Sequence, residues 1–201
     1  AAPVDPYGVS KVAMEQVTVA MAEAHDFRWC VLRPHNVMGE GQDCSNPLRN
    51  VVGIFINRAM RGEPLLLFGD GLQTRAFSYI GDSIDCYVRA VLTDAVDGRV
   101  VNVGGEQPAT VLQLAELVRE EFPDARIVHL PDRHGEVKHA YSDHRVAKEL
   151  LGFEERIGWI EGGRRMAEWA RKHGPWEWKP FLVDTPTAVT PEHWKTEVFQ
   201  S

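Results

Sequence analysis

Apolar residues recur at helical spacing almost as soon as the chain begins. In YGVSKVAMEQVTVAMAEAH, Val9, Val12, Ala13, Met14, Val17, Ala20 and Met21 fall on near-helical positions. Pro6 precedes them and suits a first helical turn, where a missing N–H costs little. The spacing predicts a helix from Pro6 to His25. RWCVLRP (28–34) is a short apolar run that Pro34 ends, and it reads as a buried strand. NVVGIFINRAMRG (50–62) reads as a helix stopped by glycine. PLLLFGDGLQTRAFSYI (64–80) reads as a strand, a Gly-Asp-Gly turn and an extended return. Residues 82–92 form a further helix, and RVVNVGG (99–105) is a strand running into a loop. Thr110 caps an amphipathic helix over 111–122. A strand over 126–130 and helices over 142–151 and 161–173 complete the pattern. Strands alternate with helices, which predicts an α/β fold with substantial parallel sheet.

From Pro175 onward Trp176, Trp178 and Trp194 stand among prolines. That stretch is too aromatic for a free linker and is expected to pack over the domain surface. The chain has 201 residues, 44% hydrophobic and 25% charged, the ordinary balance of a globular protein. Its net charge of −7, without a basic block, argues against general nucleic-acid binding. An anionic ligand would need a local basic pocket working against that field. Cys30, Cys44 and Cys86 form no CxxC pair, so reduced thiols in a cytoplasmic protein are expected. No apolar run approaches the roughly 18 residues of a membrane helix, and no signal peptide is recognisable. His134, His139 and His144 recur every five residues without cysteine company or helical i, i+4 spacing. They read as surface or substrate-rim histidines, with no metal site expected.

PYGVSK (6–11) raises a chemical question. On a helix, residues four apart share a face, so Tyr7 and Lys11 point the same way, with Ser10 nearby. A phenol with an ordinary pKa near 10 is a poor base at neutrality. One ammonium about 4 Å away, at an effective dielectric of about 20, is worth roughly 4 kcal/mol to a phenolate. That is about three pKa units, enough to bring the phenol near 7 if solvent is excluded. A base tuned to the operating pH is what proton exchange with a hydroxyl requires. Taken alone, Tyr-x-x-x-Lys reads more readily as a packed tyrosine beside a solvated lysine.

Three further segments change that balance: LRPHNVMGEGQ (32–42), FGDGLQTRAFSYIGD (68–82) and DRHGEVKHAYSDHRVAKELLGF (132–153). With PYGVSKVAMEQ they resemble, in order from Pro3 to about His173, the extended short-chain dehydrogenase/reductase family. Within it they resemble the NAD-dependent sugar-nucleotide epimerases and dehydratases, most of all the UDP-glucose 4-epimerase branch. The resemblance implies the late part of a Rossmann-type doubly wound sheet plus a smaller α/β substrate-binding domain. It assigns residues 1–45 to the catalytic helix and a late strand of the nucleotide-binding domain. Residues 46–174 become mainly substrate domain, with some segments returning to the Rossmann sheet, and 175–201 a C-terminal tail.

It also implies roles. Tyr7 is the acid/base at a sugar C4 hydroxyl, and Lys11 holds the nicotinamide ribose and favours the phenolate. Pro34 and His35 lie beside the nicotinamide of NAD. Asn36, Arg75 and Arg133 contact the diphosphate of a UDP-sugar, where a guanidinium fork suits phosphate oxygens. Asn50, Leu67 and Phe68 line the nucleotide pocket, and the helix from Pro6 to His25 pairs with its copy in a homodimer. Expected turnover is epimerisation through a 4-keto sugar. A 4,6-dehydratase or reductase of the same family, or a non-catalytic nucleotide-sugar-binding protein, are the alternatives.

Four positions depart from the family pattern: His134 for proline, Ala76 for aspartate, Met38 for tyrosine and Gly81 for aspartate. The larger departure is that no glycine-rich turn for seating a dinucleotide pyrophosphate is found, since Gly39 and Gly41 stand in another context. The chain is therefore expected to be the C-terminal half of such an enzyme, binding NAD weakly or not at all by itself.

Overall fold

A computed structural model describes residues 3, 6–47, 49–132 and 137–179. Pro6 opens α1 (Pro6–His25), which runs the length its apolar period predicts. The helix is nonetheless hardly packed: of its described side chains only Ala22 is buried, while Val9, Met14, Val17 and Met21 are exposed. It is tied to β1 (Cys30–Pro34) by a two-pronged pair in which Arg33 donates to both Glu15 carboxylate oxygens, at 2.7 and 2.5 Å.

The remaining elements are β2 (Val37–Met38), α2 (Val51–Met60), β3 (Leu65–Phe68), β4 (Thr74–Ala76) and β5 (Ser78–Tyr79). After them come α3 (Ile80–Leu92), β6 (Arg99–Val103), β7 (Pro108–Thr110), α4 (Val111–Glu121) and β8 (Ile127–Leu130). β9 (His139–Ala140), α5 (Arg145–Leu151) and α6 (Gly158–His173) complete the described elements. β1 pairs with β6, β2 with β5, β3 with β8 and β4 with β9, all parallel. Only β4 with β7 is antiparallel among the described pairs. The α/β architecture with predominantly parallel pairing is the expected one. The stretch from 64 to 80 is no hairpin, however, because β3, β4 and β5 take partners in three separate sheets.

Two apolar clusters hold these elements. The larger joins Val52, Phe55 and Ile56 of α2, Leu65 and Leu67 of β3, Leu114 and Val118 of α4, and Met166 and Ala170 of α6. The smaller joins Cys86 and Ala90 of α3, Val101 and Val103 of β6, Ala147 and Leu151 of α5, and Phe153. Cys30 and Leu32 of β1 pack against its rim. Phe77 and the junction around Gly105 knit β4 and β5 to β6. A β-carbon on Gly105 would lie 1.9 Å from the Phe77 carbonyl oxygen, so only glycine permits this approach.

Helix ends explain where the periodicity misleads. α4 begins where expected because Thr110 and Gln113 form a capping box. α6 starts three residues earlier than its apolar pattern suggests. The Asp82 carboxylate, from α3, accepts the N–H groups of Ile157 at 3.0 Å and Gly158 at 3.1 Å and caps it from afar. α5 starts later than expected, at Arg145, because Asp143 accepts the Arg145 N–H at 2.9 Å and Ser142 is engaged elsewhere. Gly152 ends it in the left-handed region at φ 59°.

Candidate active site

The Tyr7–Lys11 stripe forms as the spacing predicts. Lys11 Nζ lies 5.2 Å from the centroid of the Tyr7 ring, and Ser10 Oγ donates to the Tyr7 carbonyl at 2.7 Å. An ammonium over a phenol ring is attracted by the ring face, and Lys11 Nζ also lies 4.0 Å from Met14 Sδ. Tyr7 is 71% exposed, so its hydroxyl is open to a ligand. The solvent exclusion on which the expected Tyr7–Lys11 coupling depends is not supplied by the described residues. Tyr7 and Lys11 stand on the wall of a groove of about 660 Å³ between α1 and β1, with Glu15, Thr18, Leu32 and Pro34 among its lining. Hydroxyl and ammonium suit the hydroxyls of a ribose, and Val12 and Pro34 suit the flat face of a ring. The groove therefore fits the nicotinamide riboside end of a dinucleotide.

Arg75, Asn36 and the nucleotide-pocket residues do not line this groove; Asn36 follows two residues after its Pro34 end. His35 N–H donates to the Val103 carbonyl at 2.9 Å, which carries β1 past its last paired residue. Asn36 then turns the chain at φ 21°, a conformation asparagine tolerates, and its Nδ2 donates to the Ala76 carbonyl at 2.8 Å. That bond places Asn36 one residue from Arg75 on β4. Arg75 is half-buried, with Nη1 donating to the Thr74 carbonyl at 2.8 Å.

The other predicted residues are placed differently. Asn50 is the N-cap of α2: its Oδ1 accepts from Val52 N at 3.2 Å and its Nδ2 donates to the Val37 carbonyl at 2.8 Å. The Leu67 side chain is wholly inside the larger core. Phe68 is buried at the end of β3, its carbonyl accepting from Gln73 Nε2 at 3.4 Å. Arg133 and His134 lie outside the described residues, as does Trp194.

Sequence reasoning missed a cluster behind Asn36. Ser142 Oγ lies 2.6 Å from His35 Nε2 and 3.1 Å from His144 Nε2, and the two imidazoles meet edge to face at 5.3 Å. One hydroxyl carries one proton, so it can donate to only one of the two rings, and a ring that accepts from it must be neutral. His144 is buried, not at the surface or substrate rim as expected; Phe153 and Tyr141 enclose it. His139 is exposed, with Nδ1 2.9 Å from Thr74 Oγ1. The 107 positions between His35 and Ser142 explain why no local pattern signals the contact. Among the described residues, no group of three or more metal-binding side chains converges.

Burial, then the neighbouring His144, pushes His35 below its ordinary pKa of 6.5. Burial does the same to His144, against Asp143 and Glu106, with Lys148 adding to the depression. The folded state thus refuses protons that the unfolded chain accepts near 6.5. This contribution to stability is complete above that pH and is lost as pH falls toward the depressed values. Thermal midpoints are expected to drop between about pH 7.5 and about pH 5.5. His35→Gln, which can still bond to Ser142 but cannot charge, should shrink the drop.

Comparison with known proteins bears on these features. The sequence profile of the NAD dependent epimerase/dehydratase family matches residues 1–104, which carry α1, β1, Asn36 and Arg75. A putative UDP-glucose 4-epimerase of Methanocaldococcus jannaschii is 32% identical over 85% of this chain and 55% of its own length. The crystal structure of Thermotoga maritima UDP-glucose 4-epimerase with UDP-glucose superposes with a TM-score of 0.76 at 34% identity, over 85% of this chain and 55% of that one. Bacillus cereus UDP-glucuronic acid 4-epimerase, in complex with UDP-glucuronic acid and NAD, gives 0.77 at 28% identity, over 85% and 54%. The chain spans about half the length of the curated relatives it matches. A profile match over more than half of the sequence, together with the shared fold, establishes that the chain belongs to the NAD-dependent epimerase/dehydratase family.

Proposed function

We propose that this chain supplies the catalytic helix and the sugar-nucleotide site of an NAD-dependent 4-epimerase acting on a UDP-hexose or UDP-hexuronate. The observation that carries this reading is Lys11 Nζ held 5.2 Å over the Tyr7 ring at a groove leading along β1 toward Asn36 and Arg75. Tyr7 takes the proton of the sugar C4 hydroxyl as the carbon is oxidised and returns it as the carbon is reduced from the other face. Lys11, with Tyr7, would hold the nicotinamide riboside of NAD, which supplies a hydride acceptor when bound. Pro34 and His35 border the nicotinamide. Arg75, Asn36 and Arg133 hold the diphosphate, and Asn50, Leu67 and Phe68 belong to the nucleotide pocket.

Residues 1–45 together with returning segments of the smaller cluster form the nucleotide-binding part, and most of 46–174 the substrate part. The exposed Val9, Met14, Val17 and Met21 of α1 support a homodimer built on that helix, since such patches mark interaction surfaces. Reduced Cys30, Cys44 and Cys86 support a cytoplasmic setting. A dehydratase reading also has support: mouse dTDP-D-glucose 4,6-dehydratase is 28% identical over 92% of this chain. A dehydrated product would decide for it.

Titration with UDP and with uridine tests the substrate site. Arg75→Ala should weaken UDP by about 10–100-fold, the loss of a charge-assisted hydrogen bond, and leave uridine unchanged. Equal effects on both ligands, or none, would count against the assignment.

A further inference from the structure

The segment that follows α6 crosses α2 and makes contacts of a kind that a tail merely resting on a surface does not need. Asn57, wholly buried in α2, accepts the Trp176 N–H on Oδ1 at 3.0 Å and donates Nδ2 to the Trp176 carbonyl at 3.1 Å. The side-chain amide thus reads both polar groups of one peptide residue, as a neighbouring strand would. Arg61 Nη1 donates to the same carbonyl at 3.3 Å. The Trp176 ring stacks on Trp169 at 5.4 Å and 20° and packs against the larger core. Trp178 Nε1 donates to Glu63, which Arg61 Nε holds at 2.7 Å.

The segment then reaches a different part of the fold. Lys179 N–H donates to the Ser45 carbonyl at 2.9 Å, and Lys179 Nζ pairs with Asp43 at 2.5 Å. Asp43 in turn accepts the Ser45 N–H at 3.0 Å. The loop carrying these residues, 39–47, leaves β2 directly after Met38, two residues beyond Asn36, and leads to Asn50. Within it Gln42 Oε1 is buried with no hydrogen-bond partner among the described residues. An orphaned buried acceptor is a standing cost, so this loop conformation is held by something outside the loop.

We infer that residues 176–179 are an intramolecular strap, seated by Asn57, that fixes loop 39–47 through Lys179 and thereby sets one wall of the nucleotide-sugar site. Asn57 and Lys179 are positioning residues; neither is assigned a contact with ligand. That the loop forms such a wall rests on the proposed function, whereas its tethering by the strap does not. Lys179, when bonded to Asp43, holds that carboxyl down to about 2, with Ser45 adding to the effect, so the tether persists across the physiological range.

Hydrogen–deuterium exchange of peptides covering 39–47 is the direct test. In the double variant Trp178→Ala/Lys179→Glu, exchange there should accelerate roughly tenfold, while the interior of α2 keeps its protection. The thermal midpoint should stay close to that of the parent chain, because both side chains lie outside the core. Lys179→Arg should restore slow exchange. UDP affinity should fall several-fold in the double variant and recover in Lys179→Arg. Unchanged exchange in 39–47 would overturn the strap, and faster exchange with unchanged UDP affinity would overturn its positioning role. Should the parent chain fail to bind UDP at all, the substrate assignment fails, while the exchange result still decides the tether.

Discussion

Replacing Tyr7 with phenylalanine is expected to lower sugar-nucleotide turnover by about 10²–10⁴-fold, the usual worth of a positioned acid/base, in an assembly that turns substrate over. The substitution removes one oxygen and leaves the ring beneath Lys11, so the cation–ring contact at 5.2 Å survives. At 71% exposure the side chain contributes little to packing, and stability should stay within about 0.5 kcal/mol. UDP affinity should not move, because the proposed diphosphate contacts Asn36 and Arg75 do not line the groove that holds Tyr7. Loss of turnover with stability and binding intact separates a chemical role from a structural one. Parallel measurement of kcat, UDP affinity and thermal midpoint checks all three, and a variant retaining more than about a tenth of the parent rate would remove Tyr7 from the mechanism.

The second large effect is on stability. Phe77 is 1% exposed and sits between β4, which carries Arg75, and β5. Phe77→Ala deletes a whole aromatic ring from a close-packed core and should cost about 3–5 kcal/mol. For a chain of this size each kcal/mol shifts the midpoint by about 2–4 °C, so a fall near 10 °C or more is expected by calorimetry. The backbone of the same residue touches Gly105, and the preceding Ala76 carbonyl holds Asn36. A relaxed core at Phe77 should therefore loosen UDP as well. A loss below about 1 kcal/mol would mean that the two clusters do not depend on this junction.

The parts of the molecule that were legible in sequence are those whose cause is local. α1 follows its apolar period and Pro6, α4 its Thr110–Gln113 capping box, and the Tyr7–Lys11 stripe the geometry of one helical turn. Features set by distant partners were not legible. Asp82 advances the start of α6 from a position 75 residues upstream, and Ser142 is drawn out of α5 by His35. β3, β4 and β5 read as one out-and-back excursion because three short extended runs carry no record of their partners. Asn36 and Arg75 drew notice through family resemblance, not periodicity, and the bond joining Asn36 to Ala76 spans 40 positions. Leu67 shows the opposite limit: its side chain fills the core, so any part it takes in the nucleotide pocket falls to its backbone. The aromatic tail was expected to pack, and Trp176 does pack against the larger core. Its grip on Asp43 and Ser45 could not be foreseen, since nothing in the spacing marks Asn57 as its seat.

The central claim is that Tyr7 and Lys11 serve a reversible oxidation at the sugar C4 carbon. A UDP-hexose carrying deuterium on C4, turned over in ordinary water, tests it most directly. The account predicts an epimerised product that keeps the deuterium on C4, because the hydrogen leaves and returns without meeting solvent. Washout of that label, with solvent hydrogen at the epimerised carbon, would contradict it.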